Sequence, residues 1–70
     1  MIPLSMASVG KEIVIKRVSG MPEVKQHLEN LGFVTGGRVT VLSSFGGDII
    51  VKVKESRVAV SREMAQKIYV

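Results

Sequence analysis

The chain has 70 residues, no cysteine, and ten Lys and Arg against six Asp and Glu, for a formal charge of +4. That rules out disulfides and thiolate metal sites, and a chain this short buries only about 60% of its unfolded surface, leaving no room for a second domain. A 46% hydrophobic content excludes intrinsic disorder.

From Lys11 to Val18 the segment is rich in β-branched residues and ends at Ser19-Gly20, which predicts a strand with Ile13 and Ile15 inward. Val18 joins that face only if the strand bends. The period then changes. Val24, Leu28 and Leu31 fall at i, i+4 and i+7, one face of a helix over Met21–Leu31. Pro22 suits the first turn and Glu23 complements the positive helix end. Gly32 can close the helix in the left-handed conformation, with Phe33 folding back onto the last turn.

Gly36-Gly37 predicts a turn, followed by a strand over Arg38–Leu42 with Val39 and Val41 alternating. Phe45-Gly46-Gly47-Asp48 predicts a tight reversal into a strand over Ile49–Val53. After the polar turn Lys54-Glu55-Ser56, Arg57–Val60 predicts a fourth strand with Val58 and Val60 inward. Ser61 is placed to cap a short helical turn with Ala65 and Ile68 inward, and Tyr69-Val70 predicts a closing strand stub. Short strands joined by glycine turns indicate a mainly β fold: a small closed or nearly closed barrel with an inserted α-helix and a short C-terminal helical turn. The expected core is Ile15, Val24, Leu28, Leu31, Val39, Val41, Val51, Val53, Val60 and Ile68.

Met1, Ile2, Met6, Met21, Phe45 and Tyr69 exceed what that core needs, and contiguous exposed apolar residues mark an interaction surface. The apolar N-terminus lacks the basic flank of a secretory signal, and no run approaches the roughly 20 apolar residues of a membrane span. The chain therefore reads as cytoplasmic, without direct membrane insertion. Its basic residues are spread in runs of two at most and interleaved with Glu12, Glu23, Glu29, Glu55 and Glu63. Few phosphates could be neutralised together, which argues against nucleic acid as the partner.

Chemistry-bearing constellations are sparse. Glu23 and His27 make an i, i+4 pair, but zinc takes three or four protein ligands; His27 beside Val24 and Leu31 is expected to be half-buried at the core edge. No serine has the base and orienting group that nucleophilic catalysis needs. The glycine doublets match neither phosphate-binding fingerprint. Phe33, Phe45 and Tyr69 lie at element ends rather than on a stacking face. Neither catalytic, metal nor cofactor-binding residues are expected.

In order, the chain carries Gly10-x-x-Ile13-x-Ile15, a Val24/Leu28 helix closing in Leu31-Gly32-Phe33, and Gly37-x-x-Val-x-Val into Gly46-Gly47-Asp48. Val51-x-Val53 and Val58-Ala59-Val60-x-x-x-x-Ala65-x-x-Ile68-x-Val70 follow. The succession resembles the FeoA family of bacterial ferrous iron uptake, with Thr35 standing where the family often has Pro before the glycine turn. The resemblance implies an SH3-like barrel and a cytosolic accessory of the FeoB-type membrane GTPase-permease, with no established catalytic or iron-binding residue to carry over. Ligands of SH3-like barrels lie between the long first loop and the next hairpin loop. Met21 and Phe45 are therefore placed either as lids over the barrel ends or as borders of one apolar groove flanked by Arg17 and Arg38. That groove would receive the permease or a second copy of the chain. The alternative is a small basic barrel that binds nucleic acid.

Overall fold

Apolar alternation and two-residue turns build most of one sheet. The computed structural model describes every residue from Met1 to Val70. Strand β1 spans Glu12–Val14, β2 Arg17–Val18, β3 Arg38–Phe45, β4 Asp48–Val53, β5 Ser56–Ser61 and β6 Ile68–Tyr69; helix α1 spans Pro22–Leu31 and α2 Arg62–Ala65. The hydrogen-bonded order is β1-β3-β4-β5 in one antiparallel sheet and β2-β6 in another. The two sheets face one core without closing into a continuous hydrogen-bonded barrel, so the fold is SH3-like but open.

The predicted strand over Lys11–Val18 is divided between the two sheets. At Ile15 the chain leaves β3: the Ile15 N–H donates to the Gly37 carbonyl at 2.8 Å and Gly36 N–H donates to the Ile15 carbonyl at 2.8 Å. Lys16 N–H then donates to the Tyr69 carbonyl at 2.8 Å, starting the second sheet. This bend is what brings Val18 into the core beside Ile15.

Met21 is the N-cap of helix α1, its side chain makes no capping bond, and Pro22 opens the first turn. It ends as its sequence dictates. Gly32 has φ 108°, Gly32 N–H donates to the Glu29 carbonyl and Phe33 N–H to the Leu28 carbonyl at 2.9 Å, the paired bonds of a Schellman closure. Phe33 is thereby turned inward and fully buried. Helix α2 is capped by Ser61, whose hydroxyl accepts from the Met64 N–H at 3.2 Å.

Thirteen apolar residues form one core. Eight of the ten expected ones are fully buried, while Val24 and Leu31 pack half-buried against them. Ile49, Val18, Phe33 and Ala65 complete it together with Leu4, held by a 3₁₀ turn over Leu4–Met6 that no periodicity announces. No helix is long and apolar enough to cross a membrane.

Candidate interaction surface

The apolar residues left outside the core define the surface with most to gain from a partner. Met1, Ile2, Met6, Met21 and Phe45 are exposed, joined by Val9 and Val14. Tyr69 departs from that set: pairing of β6 with Arg17 on one side and Pro3 on the other leaves it half-buried. Met21 is 73% exposed and Phe45 79% exposed, so neither folds over a barrel end as a lid.

One open groove, of about 520 Å³, lies between the N-terminal 3₁₀ turn, Ser19 just after β2, and the segment from α2 to β6. Pro3, Met6 and Tyr69 give it apolar surface, and Arg62 and Lys67 give it charge against Glu63. The chain order explains this assembly. Reciprocal bonds between Ile2 and Val70 lay the N-terminus along β6, while Ser19 N–H and hydroxyl both donate to the Lys67 carbonyl, at 2.7 and 3.1 Å. Met21 follows Ser19 and Gly20 in the chain but is not part of the groove's lining, so the groove is not the one expected between Met21 and Phe45. Phe45 lies outside it too, at the end of β3, where the hairpin turn is tied to α2: Arg62 donates from its backbone N–H to the Gly47 carbonyl at 2.8 Å and from Nη2 to the Gly46 carbonyl at 3.5 Å.

Of the two arginines expected to flank this surface, Arg17 lies beside Tyr69 on β2. Arg38 does not join it. It begins the strand that Phe45 ends, on the order of 20 Å away at about 3.3 Å per residue. There its Nη1 lies 3.8 Å from Glu12 Oε1, with both side chains exposed. Such a pair contributes little. The cations that do line the groove, Arg62 and Lys67, stand at the start of α2 and just after it, and no local pattern places them there because that segment meets Ser19 only through tertiary pairing.

His27 is exposed rather than half-buried, since it lies off the stripe that Leu28 turns toward the core. No three His, Cys, Asp or Glu side chains gather at one place, and no buried polar side-chain atom is left without a partner. The groove is lined mostly by polar and charged side chains, Ser5, Ser19, Arg62, Glu63, Gln66 and Lys67, with Pro3, Met6 and Tyr69 as its apolar part.

Comparison with known proteins adds a lineage to this geometry. The FeoA domain family matches residues 2–70. A Methanocaldococcus jannaschii protein, provisionally named Fe(2+) transport protein A, is 31% identical over 70 residues, covering 100% of this chain and 85% of that relative. The crystal structure of an iron uptake regulatory protein, FeoA, superposes with a TM-score of 0.88 at 28% identity, covering 96% of this chain and 91% of that one. The zinc complex of Stenotrophomonas maltophilia FeoA, described as a procaryotic SH3 domain protein, superposes at 0.86 with 24% identity over 100% of this chain and 89% of that one. It shares the fold.

Proposed function

The chain belongs to the FeoA domain family, whose place is in ferrous iron transport, and on that premise we propose that it acts without catalysis, by docking on the cytosolic part of a FeoB-type membrane GTPase-permease and modulating its uptake cycle. The observation that carries the reading is that Met6, Met21 and Phe45 stay exposed on a domain whose core forms without them; Met6 lines a groove that also carries Arg62 and Lys67. Methionine suits a docking surface because it is flexible and polarizable. Arg17, Arg62 and Lys67 set orientation and encounter rate, while the apolar side chains supply the area removed from water.

The test titrates the permease's cytosolic domain with the wild-type protein and with Met21→Ser/Phe45→Ser. Both positions are exposed, so the double variant should keep its stability within about 0.5 kcal/mol per site while losing the complex. Wild-type binding should survive a rise from about 50 to about 200 mM salt, conditions under which a multi-phosphate contact would weaken steeply. Unchanged binding by the folded variant overturns the surface assignment. Nanomolar binding of a mixed-sequence oligonucleotide with a steep salt slope would instead promote the nucleic-acid reading.

A further inference from the structure

Most strand edges of this fold are short or covered. The outer edge of β6 is occupied by Ile2 and Pro3 through the Ile2 N–H to Val70 carbonyl and Val70 N–H to Ile2 carbonyl bonds, 3.0 and 2.8 Å. Strand β1 has three residues and β2 two. Strand β5 is different. It is six residues long, ends the four-stranded sheet, contains no proline, and keeps unbroken register with β4 from Ser56 to Ser61.

Which backbone groups it leaves free follows from the turns. Gly46-Gly47 closes on the Phe45–Asp48 pair and Lys54-Glu55 closes on Val53–Ser56; the pair flanking a two-residue turn exchanges both hydrogen bonds. Strand β4 therefore uses Asp48, Ile50 and Lys52 toward β3, and Ile49, Val51 and Val53 toward β5. On β5, Ser56, Val58 and Val60 bond inward, and Arg57 and Ala59 turn N–H and C=O away from the sheet. No backbone bond from elsewhere in the chain reaches Ser56–Ser61. Both Arg57 and Ala59 are exposed.

Charge then selects what can lie there. Lys52 and Arg57 face each other directly, and they do so in the non-hydrogen-bonded kind of pair, where side chains come closest. Like charges so placed are destabilising, and neither has an acidic partner, the one ion pair being Arg38–Glu12. A strand added outside β5 would place one side chain beside Arg57 on this face, and a carboxylate there would offset both cations.

We infer that the β5 edge is a strand-addition site for an extended acidic segment of a partner protein, paired through the free N–H and C=O groups of Arg57 and Ala59 with a Glu or Asp beside Arg57. A regular row of backbone donors and acceptors matches another polypeptide and not a phosphate backbone. A second copy of this chain is a poor occupant, since its edge brings the same Lys52 and Arg57. The inference rests on the sheet alone and is independent of the transporter reading and of the groove.

The probe is a capped peptide alternating threonine and glutamate, with the lysine counterpart as control, followed by amide NMR of the isotope-labelled full chain. The glutamate peptide should shift the Arg57 and Ala59 amides, slow their hydrogen exchange, and bind at least about tenfold more tightly than the lysine peptide. Ala59→Pro removes an outward N–H without touching the β4 ladder and should abolish binding. Arg57→Glu, which retains the backbone whatever proline does, should reverse the peptide preference. Silent Arg57 and Ala59 amides, shifts confined to the groove, or equal binding of both peptides would overturn the assignment. So would an edge-to-edge dimer of the free protein that Ala59→Pro dissociates.

Discussion

Strands β3, β4 and β5 are joined by turns of two residues, so every pairing in that half of the larger sheet is local. Strands β2 and β6 meet only after almost the whole chain has been laid down, and the Ser19–Lys67 bond beside them spans 48 positions. The first kind of pairing needs little loop closure. The second must wait for it, because closure entropy grows with loop length and is lost before the contact forms. The same division runs through the surface. Most of the surplus apolar side chains, Met1, Ile2, Met6 and Met21, belong to the segments that complete the non-local sheet, while the local sheet exposes Phe45 at its hairpin tip. Groove and late-forming structure coincide, which fits an interaction face built where order is least locally determined.

If the two sheets nevertheless share one cooperative core, the sharpest break is at Leu4. It sits three residues from the chain start yet is 1% exposed and belongs to the common cluster. Leu4→Ala should cost about 2–5 kcal/mol, the range for deleting a buried leucine, read as the shift of a chemical-denaturation midpoint. A loss below about 1 kcal/mol would mean that the N-terminal turn frays and that the local sheet stands without it.

The next lever is Gly32, where α1 hands the chain to the core. At φ 108° any L side chain is strained, and a Cβ there would lie 3.1 Å from Val53 Cγ2. Gly32→Ala should cost about 1–3 kcal/mol by misdirecting Phe33. Hydrogen exchange should speed up in α1 first, and unchanged protection there would show that the helix closure is not what seats Phe33.

Legibility follows the same division. The α1 stripe, the Gly32 closure, the two hairpin turns and the Ser61 cap are written within a few residues of where they act, and the structure places them as their chemistry predicts. Leu4 and the split of Lys11–Val18 are not local facts: Ile15 turns because Gly36 and Gly37 pair with it and Tyr69 takes Lys16. For the surface, Met21 and Phe45 are visible in the sequence because no alternating or helical pattern needs them. Arg38 stands apart from Phe45 because the two occupy opposite ends of β3, and Arg62 and Lys67 come together beside Ser19 only in the folded chain.

The smallest expected effect probes the joint between the two sheets. Ser61 ends β5 and caps α2, so its hydroxyl bond to Met64 N–H carries the chain from the local sheet toward β6. Ser61→Ala should cost about 1 kcal/mol, as loss of an N-cap does, with the Met64 amide exchanging faster. Asparagine is the conservative test, since its side-chain oxygen caps as well as serine's, and Ser61→Asn should restore both readouts. Aspartate should not do so fully. Although it caps well and favours the helix N-terminus, position 61 lies directly across from Asp48, and like charges so placed repel. The expected order of stability is therefore serine and asparagine together, then aspartate, then alanine. Aspartate equal to asparagine would show that the Asp48 pairing opens at this end of β5, and alanine equal to serine would show that α2 is held by Ala65 and Ile68 in the core rather than by its cap.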